Sequence, residues 1–326
     1  MNSNIARIRF DAAIAAAGQL RSRLNERLMG QPSVVDQVLV ALIANGHVLI
    51  EGVPGLGKTL LVRVLADCFA GTFRRIQFTP DLMPGDITGH VLFDMQESRF
   101  LMRQGPVFTN LLLADEVNRA PAKTQAALLE VMQERQVTID GSAQPVPHPF
   151  MVLATQNPIE HEGTYPLPEA ELDRFLLKVF IDYPSAVDEL DITRSITGIG
   201  NSFAAGAPPA GALLDAGAIH TLQQTATAVA FDEQVLDYVV RLVRATRNHP
   251  ALLRGAGTRA CLALVSGARA HALLRGASFV VPDDVKAIAL PVMRHRVTLS
   301  ASAEIDGLDA DRVLGGIIET VAAPRE

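Results

Sequence analysis

Tryptophan is absent from this sequence, tyrosine occurs only 3 times and aromatic residues make up 5%, which leaves little material for stacking the successive bases of a single strand. Positive charge is not in excess either. Lys and Arg number 29 against 35 Asp and Glu, a formal net charge of −6, so wholesale attraction to nucleic acid or to an anionic membrane is not expected and only a local basic channel stays open. Arg241, Arg244 and Arg247 recur along a helical stretch, a pattern more often a solvated face than a nucleic-acid stripe. Cysteine is scarce. Cys68 and Cys261 lie far apart, with no CxxC and no Cys/His zinc spacing, which excludes a disulfide framework and a zinc finger and fits a reducing cytoplasm. His161-Glu162 is the one suggestive His/acid neighbour and no HExxH occurs, so a protein-bound transition metal is not expected.

Long apolar runs are missing as well. Even residues 38–50 are broken by Asn45, Gly46 and His47, well short of the roughly 18 apolar residues of a membrane span, so membrane insertion is not expected. Near the N-terminus Arg7 and Arg9 precede an Ala-rich run, but Asp11 and Gln19 interrupt it and Gly30-Gln31-Pro32 reads as a connector into another helix. A helical start is therefore expected in place of a targeting signal.

What remains is an ordinary globular composition, 48% hydrophobic and 20% charged over 326 residues, enough for two domains. Short apolar runs at 47–51, 74–78, 111–114, 150–154 and 176–181 read as strands. Most do not alternate, and continuous apolarity is what a strand covered on both faces requires, so an α/β class with a parallel sheet between helical layers follows. Leu60, Leu61, Val64, Leu65, Cys68 and Phe69, and later Leu128 and Met132, recur at helical spacing and give crossover helices an apolar face. Residues 91–102 and 137–148 do not fit crossover helices; the second contains Asp140-Gly141, a hairpin turn signal. Both read as small β insertions. After Tyr183-Pro184 the composition changes, residues 200–218 being rich in Gly, Ala and Pro, and helical spacing returns over 232–248, 258–274 and 283–290.

The first strand runs into Gly52-Val53-Pro54-Gly55-Leu56-Gly57-Lys58-Thr59-Leu60, which satisfies GxxxxGK[ST] in the required strand-to-helix setting. Glycines let backbone N–H groups wrap phosphates, and the following helix turns its positive end toward them. Lys58 is placed for the β and γ phosphates and Thr59 for Mg²⁺, against the plainer reading of a Gly-rich turn with an exposed lysine. The apolar run 111–114 ends in Asp115-Glu116. At the carboxyl end of a parallel strand, Asp115 can hold a magnesium-bound water and Glu116 can take a proton from the attacking water. By itself such a pair is as well explained by solvated acids. Paired with the phosphate loop, it favours hydrolysis. Asn157 follows another strand, where it could orient the water or form a turn with Pro158; the residues alone leave both open.

Several stretches together resemble the MoxR-type ATPases of the AAA+ class: EGVPGLGKT at 51–59, QFTPDLMPGDITG at 77–89, GPVFTNLLLADEVNRAPAKTQAALLEVMQER at 105–135, ATQNPIEHEGTYPLPEAELDRFLLKV at 154–179 and GAGTRA at 255–260. This resemblance implies a five-stranded αβα core over 1–184, a linker and start of the lid over 185–218, and an α-helical lid over 219–326. It also implies ATP and ADP as ligands with Mg²⁺, and a homo-oligomeric ring, usually a hexamer. Asn157 takes the sensor 1 role, Arg174 the arginine finger offered to the next subunit, and Arg259 the lid's sensor 2. Spacing alone would make Arg174 a surface partner of Glu171 or Asp173. Arg259 opens a helix, where a cation is unfavourable, and that points to an anionic group nearby. Asn118-Arg119 also match; Arg119 could reach a neighbour or serve a helix start. The family implies chaperone-like work on a protein partner, often one with a von Willebrand factor A domain; the two β insertions, at 95–102 and 137–147, suit contact with such a partner and packing between subunits equally. A DNA-directed motor, a metal-chelatase motor subunit and a nucleotide-gated scaffold are the alternatives.

Overall fold

The computed structural model describes residues 2–53, 55–68, 70–157, 164–197 and 212–324. Helices α1 (Asn2–Arg27) and α2 (Pro32–Ile43) come first, followed by β1 (Val48–Glu51), α3 (Lys58–Asp67), β2 (Phe73–Gln77) and α4 (Pro84–Thr88). Next come the hairpin β3 (Gly89–Asp94) and β4 (Arg99–Gln104), then β5 (Leu111–Asp115) and α5 (Ala122–Glu134). A second hairpin, β6 (Gln136–Ile139) and β7 (Ser142–Pro145), precedes β8 (Met151–Gln156), α6 (Glu169–Leu172), β9 (Leu177–Phe180) and α7 (Ala186–Thr197). The rest is largely helical: α8 (Ala216–Thr227), α9 (Glu233–Arg247), β10 (Leu252–Arg254), α10 (Thr258–Leu274), α11 (Pro282–Met293), β11 (Thr298–Leu299), α12 (Ala301–Ile305) and α13 (Ala310–Thr320).

Five strands form one parallel sheet in the order β2-β5-β8-β1-β9. Their side chains divide cleanly between the two faces. Val48, Ile50, Leu111, Leu113, Leu153, Leu177 and Val179 enter a core shared with α1, α2, α3 and the C-terminal helices. Leu49, Leu112, Ala114, Val152 and Ala154 enter a second core with α5 and the second hairpin. The central strands β1, β5 and β8 thus need apolar residues at successive positions, which is why their runs do not alternate, whereas the edge strands β2 and β9 carry charged residues such as Arg74, Arg75 and Lys178. The run at 150–154 extends two residues further than its apolarity, because Thr155 and Gln156 pair with Ile50 and Glu51 of β1.

The expected α1 carries a buried stripe of Ala13, Ala17, Leu20 and Leu24 at three- and four-residue spacing, continued by Leu28 just past its end, and is laid against α2, α8 and α10. Both β insertions are antiparallel hairpins, with Asp140 and Gly141 at positive φ in the turn of the second. The first exposes Leu92, Phe93, Met95 and Phe100. Cys68 is a buried core residue and Cys261 is a free thiol. In α9, Arg241 pairs with Asp237 and Arg247 donates to the Ala256 carbonyl, so these two serve the fold. No helix among the described residues is long and apolar enough to cross a membrane. Most of the Gly/Ala/Pro-rich stretch, and His161-Glu162, lie outside the described residues.

Candidate functional site

The strand order brings the carboxyl ends of β5, β8 and β1 side by side, and the chain leaves all three toward the same edge of the sheet. After β1, the loop bends tightly. A Cβ on Gly52 would meet the Ile181 carbonyl oxygen at 2.5 Å, while Gly55 and Gly57 hold φ of +88° and +82°. These are positions where side chains are obstructed or strained. Gly57 caps α3, so Lys58 and Thr59 form its first turn with unpaired N–H groups at the positive end. Lys58 Nζ donates to the Gly52 carbonyl at 2.5 Å. Burial pushes the Lys58 pKa down, and the charges of Asp115, Glu116 and Glu51 act against that shift.

Opposite the loop, the two acids at the end of β5 are held individually. Thr155 Oγ1 donates to Asp115 Oδ1 at 2.5 Å and accepts the Glu116 N–H at 2.9 Å. Its single hydroxyl thus ties both acids to the neighbouring strand. Glu116 sits at φ +57°, a conformation that costs a non-glycine residue roughly 1–2 kcal/mol and occurs where neighbours enforce it. From β2, Arg75 Nη2 donates to Asp115 Oδ2 at 2.7 Å and Gln77 Nε2 to Glu116 Oε2 at 2.7 Å. Arg119 Nη1 reaches the same Glu116 oxygen at 3.0 Å. Asn157 is buried, and its carbonyl oxygen lies 3.5 Å from Asn118 Nδ2.

Gly55, Gly57, Lys58, Thr59, Leu60, Asp115, Glu116 and Asn157 line one cleft of about 330 Å³. Gly52, Val53 and Leu56 belong to the same loop, and Pro54 is outside the described residues. Chemically the cleft sets an ammonium and a helix N-terminus against a hydroxyl, two carboxylates and an amide. That donor set would fit a polyphosphate with a hard divalent cation, with Lys58 and the loop N–H groups available to anionic oxygens and Thr59 and Asp115 offering oxygen atoms of the kind such a cation prefers. No His or Cys lines it, and among the described residues no group of three or more His, Cys, Asp or Glu is arranged to hold a metal ion.

Arg174 and Arg259 do not line this cleft. Arg174 lies in the turn after α6, and Arg259 at the start of α10 is 61% exposed. The pairing of Arg174 with Asp173 that spacing suggests is not the one formed: Asp173 is taken by two other arginines, Arg296 at 2.6 Å and Arg259 at 3.7 Å. Asp173 is also an anion beside the cationic helix start at Arg259. Arg119 pairs with Glu116 within its own subunit. Sequence reasoning missed Thr155, Arg75, Gln77 and Arg296. Thr155 and Gln77 carried a faint signal, Thr155 near the end of the strand that leads to Asn157 and Gln77 at the end of β2, whereas Arg75 lies in the middle of its strand.

Comparisons with known proteins agree with this geometry. The model for the ATPase family associated with various cellular activities (AAA) matches residues 47–177, and the AAA lid domain model matches residues 244–316. The chain is similar to Chaperone MoxR1 of Mycobacterium tuberculosis, 45% identical across 91% of this chain and 80% of that protein. It is also similar to Protein MoxR of Methylorubrum extorquens, 30% identical across 95% of each. A crystal structure from Cytophaga hutchinsonii, provisionally described as an ATPase, superimposes over the full length of both chains with a TM-score of 0.90 at 36% identity. With the phosphate loop, the paired acids and the parallel sheet all in place, the chain belongs to the MoxR-type AAA+ ATPases.

Proposed function

We propose that this ATPase works with Mg²⁺ in a ring of like subunits, hexameric by family resemblance, and that its turnover remodels or activates a protein partner. The relative named a chaperone supports the last part, and a partner with a von Willebrand factor A domain is the class implied. The observation that carries the reading is the division of groups: Lys58, Thr59, Asp115, Glu116 and Asn157 share one cleft, while Arg174 stands away from it, as a group offered to a neighbour would.

In this reading the loop N–H groups and Lys58 bind the phosphates, and Thr59 and Asp115 would hold the cation, which when bound would supply positive charge to offset the negative charge developing on the phosphoryl oxygens. Asn157 orients the water. Glu116 accepts the water proton as the new P–O bond forms and the bond to the β-phosphate oxygen breaks, leaving ADP and phosphate. For that, Glu116 must exchange its bonds to Gln77 and Arg119 for the water, so the two side chains set how readily the base is released. The first hairpin, with Phe93, Met95 and Phe100 exposed, is offered to the partner.

The test is Mg²⁺-dependent hydrolysis per subunit across a wide range of protein concentration. Specific activity rises as subunits associate if the site is completed by a neighbour. Glu116→Gln is expected to keep nucleotide binding and lower turnover at least a hundredfold, in the range of a lost general base. Normal turnover in that variant removes Glu116 from the mechanism.

A further inference from the structure

The turn that carries Arg174 is held by the far end of the chain. Arg296, just beyond α11, is 7% exposed, and its guanidinium is wrapped by that turn. Nε donates to Asp173 Oδ1 at 2.6 Å. Nη2 donates to the Phe175 carbonyl at 2.7 Å and the Asp173 carbonyl at 3.3 Å, and Nη1 to the Leu176 carbonyl at 3.2 Å and to the Val292 carbonyl. His295 Nε2 adds a bond to the Phe175 carbonyl at 3.1 Å. A planar fork of five N–H donors is the one side chain that can satisfy a carboxylate and several carbonyls converging from different directions.

The Asp173 carboxylate bonded to Arg296 is also the counter-ion of Arg259, at 3.7 Å from Oδ2. Arg174 is its immediate neighbour in sequence. One buried guanidinium therefore anchors, through Asp173 and the turn's carbonyls, both arginines that stand outside the phosphate cleft. A guanidinium offered to a neighbouring subunit is useful only if its backbone is fixed to within a fraction of an ångström, because misplacement by about 1 Å can cost a hundredfold in rate. Arg174 makes no ion pair of its own among the described residues. Its placement rests on the backbone of the turn.

We infer that Arg296 is a positioning residue for hydrolysis in the neighbouring subunit, clamping the turn that presents Arg174. This rests on the reading of Arg174 as a group given to the next subunit.

The experiment is subunit mixing. Arg296→Lys keeps the charge and loses the fork. It is expected to bind a fluorescent ATP analogue within twofold of the unsubstituted protein and to leave KM unchanged, while kcat falls at least tenfold. Mixed in equal amounts with Glu116→Gln, itself inactive, it regains about a quarter of full turnover, since random head-to-tail assembly places an intact cleft against an intact turn at roughly one interface in four. Arg174→Ala mixed with Glu116→Gln is the control, and should recover equally. If the control recovers while Arg296→Lys alone keeps full kcat, or is inactive and is not rescued by mixing, the positioning role is overturned. If the control does not recover, the reading of Arg174 fails and this inference fails with it. Should Arg296→Lys not fold, Asp173→Asn, which leaves the carbonyl bonds to Arg296 in place, is scored by the same mixing.

Discussion

Thr155→Val tests the claim that one hydroxyl holds the two acids of the cleft. The substitution is nearly isosteric, so packing on a residue only 1% exposed is preserved and the change isolates the two hydrogen bonds. Losing the bond to a charged carboxylate costs about 1.5–3 kcal/mol, and the unpaired Glu116 N–H about 1–3 kcal/mol more. Asp115 retains Arg75 as a partner and its side chain is 14% exposed, so water recovers part of the first term. A net destabilisation of about 2–3 kcal/mol is expected, read as a lower urea midpoint with an unchanged slope. The kinetic effect is separate. Released from Thr155, Glu116 can leave its φ of +57° for an ordinary conformation, and a misplaced base worth about 1.4 kcal/mol gives a tenfold fall in single-turnover rate. Thr155→Ser keeps both bonds and loses a methyl group, so it should retain the rate at a stability cost of about 1 kcal/mol. A Thr155→Val protein that unfolds and hydrolyses ATP like its parent refutes the assignment.

Two further outcomes follow from groups elsewhere in the fold. Gly57→Ala places a Cβ at φ +82°, a strain of about 1–2 kcal/mol borne by the phosphate loop; nucleotide affinity measured by titration should fall, and unchanged affinity would show that the loop does not keep this conformation when it binds. Acid should weaken the fold in two windows. His47 is buried, accepting the Val152 N–H at Nδ1 and donating from Nε2 to the Met132 carbonyl. Burial, then the Arg135 charge, lowers its pKa from 6.5 to about 3, so the unfolded chain takes up the proton first and stability declines from near pH 6.5 toward 3. Asp284 follows. Burial raises its pKa, but bonds from His271, Arg275 and the Val281 N–H outweigh that and hold it at about 2 against 3.8, so its contribution of about 2 kcal/mol is present above 3.8 and lost toward pH 2. Urea midpoints of His47→Gln and Asp284→Asn across pH 2–7 check this: His47→Gln should flatten the upper window and Asp284→Asn the lower, and a slope unchanged in both variants would assign the loss to other groups.

Much of this protein was legible in one dimension because the signals involved are local. Gly55 and Gly57 accept left-handed backbone whatever surrounds them, Asp140-Gly141 closes a hairpin by the same property, and the central strands of a doubly covered sheet announce themselves by unbroken apolarity. Helix α10 begins and ends where its apolar spacing does, at Thr258 and Leu274. The partners of the acids were not legible, because they depend on which strands lie side by side. Only the order β2-β5-β8 puts Arg75 and Gln77 on one flank of Asp115 and Glu116 and Thr155 on the other. Likewise Asp173 has arginines closer in sequence than Arg296, its partner 123 positions away. Backbone preference and periodicity act over a few residues and can be read directly; a hydrogen bond between distant residues exists only after the chain has collapsed around its two cores, and tertiary structure alone decided which arginine Asp173 would hold.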